Sequence, residues 1–173
     1  MPKSVLIKTT LETFDWGIWS FHFPIDSETT LKLKGEKSSR VNCLINSRIK
    51  IQCGLMPIDD GSYIMVNKKI RKELGLEEGD TVELELSKDE STYGAPIPES
   101  FQVMLDQDEE GSKYFHALTP GKQRSLIYLV AKVKNVEKQI NKSLAILEHL
   151  RDVHGKLDFK MLNEKIKYYN NIN

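Results

Sequence analysis

Neither sign of charge is in excess: Lys and Arg number 25, Asp and Glu number 25, and the formal net charge is zero. A neutral chain has no global field to gather nucleic acid or an anionic membrane, so any such binding must come from a local patch. No apolar run approaches the length of a membrane span, and the opening MPKSVLIKTTLETF lacks the apolar core of a secretory leader. A cytoplasmic protein without membrane insertion is expected. Cysteine is scarce, and Cys43 and Cys53 have no histidine spacing that would complete a zinc site. Both share strand parity with Val41, Ile45, Ile49, Ile51 and Leu55, which predicts two buried, inert thiols. The HExxH, GxSxG, Walker and dinucleotide-binding motifs are missing, and the acidic clusters lack EF-hand spacing. No catalytic residue, metal or cofactor is expected, and the chain reads as a non-enzyme.

What is present is best seen in residues 61–86, GSYIMVNKKIRKELGLEEGDTVELEL. Tyr63 to Val66 form a β-prone run bounded by Gly61. Asn67 stands where a helix cap belongs, and Lys68 to Leu74 make a short helix with Ile70 and Leu74 facing inward. Gly75 supplies the left-handed stop, and Gly79 with Asp80 makes a tight turn. Val82, Leu84 and Leu86 then alternate with polar residues in a half-buried strand.

Strands are also expected at about 4–9, 17–23, 40–46 and 48–55, with Asn46-Ser47 as a short hairpin turn. In GIWSFHFP, Trp19, Phe21 and Phe23 share one face, while Ser20 and His22 share the other and His22 faces solvent. Residues 87–98, SKDESTYGAPIP, read as a linker, after which the period becomes helical. One helix runs from Pro98 through Leu105 and is closed by the acidic DQDEEG run, and a short turn from Ser112 follows. Thr119-Pro120 starts a helix to about Lys134. The next helix carries Val136, Ile140, Leu144, Leu147 and Arg151 in one register, and a last helix covers about 158–169. The expected architecture is a β domain over 1–90, a linker over 91–98 and a helical bundle over 99–173.

Between Lys122 and Lys142 the cations Lys122, Arg124, Lys132, Lys134 and Lys138 outnumber the acids. Such a stripe could follow a phosphate backbone, although a solvated helix face explains it more simply. Lys69 and Arg71 on the short helix could assist it. Alternatively, Arg71 could be anchored on Glu73 or Asp80. A third candidate is a small-ligand pocket where the domains meet, around Trp16, Trp19 and Tyr93.

Two resemblances bear on these readings. VNKKIRKELGLEEGDTVELEL resembles the swapped-hairpin half-barrel of AbrB/MazE-type regulators and antitoxins, with Asn67 replacing their usual proline. Over nearly the whole chain, GIWSFHFP, RVNCLIN and the IRKELG…GDTV block are similar to the uncharacterised domain family 1905. PIPESFQVML…YFHALTPGKQRSLIYLVAKVKN…SLAILEHL resembles the YdeI/OmpD-associated (bacteriocin-protection) domain that often follows it. The resemblance implies a closed double-split β-barrel of six to seven strands with one short helix, followed by a small all-α bundle. Its second domain departs from the usual pattern, because VKNVEKQIN stands where an arginine-rich segment is common. The leading expectation is a non-enzymatic cytoplasmic binding or adaptor protein, a monomer or weak homodimer with a protein partner. The resemblance alone adds bacteriocin or envelope-stress tolerance. Nucleic-acid binding is the alternative, and a small-ligand sensor the third.

Overall fold

Alternating apolar positions become strands and 3.6-residue periods become helices in the computed structural model, which describes residues 3–15, 20–36 and 38–172. The chain divides into two compact units, residues 1–90 and 91–173.

In the first unit the described strands are β1 (Val5–Thr10), β2 (His22–Asp26), β3 (Arg40–Ile45), β4 (Ile49–Gly54), β5 (Met56–Ile58), β6 (Gly61–Met65) and β7 (Thr81–Lys88). They form two antiparallel sheets, ordered β1-β7-β3-β4 and β2-β6-β5. The expected closed barrel is therefore corrected: no continuous ring forms among the described residues. The physical reason is visible along β1 and β2. Pro24 has no N–H to donate, and the Thr9 hydroxyl bonds its carbonyl at 2.7 Å where a ladder bond would run. Beyond it, among the described residues, the bridge Glu12–His22 joins the two segments.

The inward faces of both sheets share one core, in which Phe23, Ile64, Cys43, Leu84 and Leu86 are completely buried. Asn46 and Ser47 both adopt positive φ, the geometry of a tight β3–β4 hairpin. Asn46 is also tied to β7, because its N–H donates to the Glu83 carbonyl at 2.8 Å and its side chain accepts from the Glu83 N–H at 2.9 Å.

Among the described residues two helices complete this unit, not one. α1 (Ser27–Leu33) was not legible, because Thr29-Thr30 reads as β-prone and only Thr29 and Leu33 are buried. It starts because Asp26 caps the Thr29 N–H at 2.8 Å, and it docks on β6 through a 2.8 Å hydroxyl bond between Thr30 and Ser62. The second, α2 (Lys68–Leu74), has the expected ends. Asn67 accepts from the Ile70 N–H at 2.9 Å, and Gly75 sits at φ 65° with Leu76 N–H donating to the Arg71 carbonyl at 2.8 Å.

His22, expected to face solvent, is buried. The segment after β1 folds over it: Phe14 stacks on the imidazole at 3.7 Å and Tyr63 meets it edge-on. Its Nδ1 lies 2.8 Å from the Ser20 carbonyl.

The second unit contains α3 (Glu99–Gln107), α4 (Glu109–Ala117), α5 (Pro120–Ala131), α6 (Val136–Asp152) and α7 (Phe159–Asn171). Residues 91–98 pack with it, and Ala95 is part of its core. The acidic run does not end in a loop. Asp108 is a joint whose carboxylate accepts from the Gly111 N–H at 2.8 Å and pairs with Arg151. Glu109 and Glu110 fall in the first turn of α4, where the helix dipole favours negative charge. Thr119 and Pro120 start α5 as their types demand. α7 is pinned to α6 by Tyr169–Glu148, by Lys165 with Glu148 and Asp152, and by His149 Nε2 accepting the Asp158 N–H at 3.1 Å.

Candidate functional site

Where α3 and α6 begin, their exposed sides leave a groove of about 580 Å³ between them. α3 anchors itself by burying Phe101 and Leu105, so Val103 and Met104 are left on its groove side. α6 supplies Val136, Gln139 and Ile140, which fall on one helical face by their three- and four-residue spacing. The polar floor is already satisfied: Ser100 Oγ donates to Gln139 Oε1 at 2.8 Å, and Gln139 Nε2 donates to the Val133 carbonyl at 2.7 Å. What remains open is apolar wall, with Val136 62% exposed and Val103 43% exposed. Glu99 and Lys134 also line the groove, and Lys134 makes no ion pair among the described residues.

The residues expected in one register along α6 are not covered alike. Leu147 is buried, but Val136 and Ile140 are exposed. The C-terminal half of α6 is enclosed, burying Ala145, Ile146, Leu147, His149 and Leu150, whereas its first turns are not closed over. A heptad-like spacing shows which side chains align. It does not show how far along the helix neighbours cover them.

The basic stripe is dispersed. Lys122 opens α5 and Lys132 caps its other end, roughly 15 Å apart at 1.5 Å per residue. Lys134 belongs to the groove, and Lys138 lies exposed in the first turn of α6. Arg124 is partly buried and donates to the Tyr93 carbonyl at 3.4 Å. Lys142, a neighbour of the stripe, donates to the Leu129 carbonyl, and burial together with the Lys132 charge pushes its pKa down.

In the first unit Lys69 is exposed on α2. Arg71 is not anchored on Glu73 or Asp80. Its guanidinium lies 3.6 Å from the centre of the Phe21 ring, a cation–π contact that its sequence neighbours do not reveal.

Trp16 and Trp19 lie outside the described residues. Tyr93 packs against the helical core, and its hydroxyl meets His116 Nε2 at 2.8 Å. His116 Nδ1 lies 2.8 Å from the Ser112 carbonyl and so carries the proton, leaving Tyr93 as donor. Burial raises the Tyr93 phenol, with a smaller push from Asp106.

Both thiols are held protonated by burial. Cys53 is pushed up to about 12 and Cys43 further still. Among the described residues no group of three His, Cys, Asp or Glu could hold a metal ion, and no helix is long and apolar enough to cross a membrane.

These two units correspond to two known families. Residues 8–86 match a domain of unknown function, DUF1905, and residues 95–152 match the family described as bacteriocin-protection, YdeI or OmpD-associated. A DUF1905 match followed by a YdeI/OmpD-associated match is the order of the fusion that the sequence resembles. No curated protein matches it. The groove residues Pro98 to Met104 and Lys134 to Ile140 all fall within the second matched region.

Proposed function

We propose that this chain is a non-enzymatic binding module, an adaptor whose helical unit receives an apolar segment of a protein partner in the α3–α6 groove. The observation that carries this reading is the exposure of Val103, Val136 and Ile140 along one groove whose polar floor is internally bonded. Exposed apolar walls around a satisfied floor suit side chains better than solvent. Lys134, beside those walls and without an ion pair among the described residues, favours a segment that carries an acidic residue beside its apolar ones. The description of the second family suggests bacteriocin protection as the process served. Nucleic-acid binding has less support, because the candidate cations are dispersed and both Arg71 and Arg124 are engaged within the fold.

A display selection of short random peptides against the full chain tests the reading. Selected binders should carry apolar residues at helical spacing with a neighbouring acid. Val136→Asp combined with Ile140→Asp should weaken them more than tenfold, while Lys138→Gln leaves them unchanged. Binders indifferent to the double substitution would sink the proposal.

A further inference from the structure

Three lysines distant in the sequence converge on the first unit. Lys3 and Ser4 precede β1, Lys32 ends α1, and Lys88 and Glu90 stand at and beyond the end of β7. With Val5 and Leu33 they line a cleft of about 560 Å³. The volume is that of a small-molecule site.

The β1–β7 register explains why these charges meet. Its last pair is Val5–Leu86, so Lys3, two residues before Val5, and Lys88, two residues after Leu86, lie at the same end of the strand pair. Like charges gathered at one end of a strand pair repel, so this arrangement favours a counter-anion. The fold supplies little of one. Lys3 and Lys88 make no ion pair among the described residues, and Lys32 has only an exposed 2.7 Å contact with Glu28, which does not line the cleft. Two lysines without an ion pair among the described residues, Lys3 and Lys88, therefore line the cleft beside Lys32, which Glu28 holds, and the one carboxylate in the lining is Glu90.

We propose that this cleft binds a soluble phosphomonoester the size of a nucleoside monophosphate. Clustered lysines act as point charges that suit a phosphate dianion, and the Ser4 hydroxyl adds a donor. Val5, half-buried, gives an apolar surface for the ligand body, and Glu90 accepts from a sugar hydroxyl. This site is separate in kind from the groove of the helical unit and does not depend on it.

Isothermal titration of the full chain with adenosine monophosphate, at low salt, is the test. Saturable binding is expected, at least tenfold weaker for adenosine. Lys3→Gln with Lys88→Gln should weaken it at least tenfold, while Lys122→Gln leaves it unchanged. All three substituted side chains are exposed, and circular dichroism would confirm that the variants fold. Absence of saturable binding, or binding that ignores the double substitution, overturns the proposal. A parallel sedimentation with phosphatidylcholine vesicles containing phosphatidic acid separates the sources. Pelleting that depends on Lys3 and Lys88, without binding of the free nucleotide, would also overturn it in favour of a lipid headgroup.

Discussion

At the scale of single residues, buried polar groups are held by partners that local sequence does not reveal. Arg71 is an example: its Nε is buried without a hydrogen-bond partner, and the guanidinium instead rests on Phe21. A double-mutant cycle of Arg71→Ala and Phe21→Leu, read by chemical denaturation, should give a coupling of about 0.5–1 kcal/mol. Additive effects would mean that the contact contributes nothing.

His149 makes a second residue-scale prediction. Burial, aided by Lys165, holds its pKa below the ordinary 6.5 against the smaller pull of Asp158 and Asp152. The unfolded chain therefore takes up this proton first, and stability should fall as pH drops below about 6.5. The measurement is Tm between pH 7.5 and pH 5 for the wild type and for His149→Gln, which removes the titration. The wild type should lose more over that interval, and equal slopes would refute the linkage. The two thiols offer a simpler check. With Cys53 at about 12 and Cys43 higher, neither should react with iodoacetamide at neutral pH until the chain is unfolded.

At the scale of elements, legibility depended on whether local chemistry alone determines the ends. Asn67, Gly75, Thr119 and Pro120 could be read directly because a cap or stop is satisfied within four residues. The tight approach at Gly61 could not be read. There φ is 137°, and a Cβ would lie 2.3 Å from the Ile25 carbonyl oxygen, a contact made by a distant strand. Gly61→Ala should cost about 1–3 kcal/mol in denaturant unfolding, through crowding at the start of β6. Asn67→Ala should cost about 1 kcal/mol through loss of the α2 cap. The groove was hidden for a related reason, since Val136 and Ile140 align with Leu144 and Leu147 yet end up uncovered. The lysine cleft was less legible still, because register and a helix unseen in the sequence bring Lys3, Lys32 and Lys88 together.

At the scale of the whole molecule, two separate sets of fully buried side chains stand on either side of Glu90 and Ser91. A unit with its own core should fold alone. Fragments 1–90 and 91–173 are expected to unfold cooperatively when expressed separately, the second with a helical dichroism spectrum. A fragment that melts without a transition would show that its core is incomplete.

Chain order and class of each half could be read because strand alternation and helical periodicity change abruptly near residue 90. Closure of the strands could not, because it turns on what Pro24 fails to donate. A second proline has the opposite kind of consequence. β5 is three residues long, forms the outer strand of its sheet, and has Pro57 at its centre. An incoming strand would find no N–H there and almost no length to copy, which makes this edge a poor template for fibril growth even though Met56 and Ile58 are exposed.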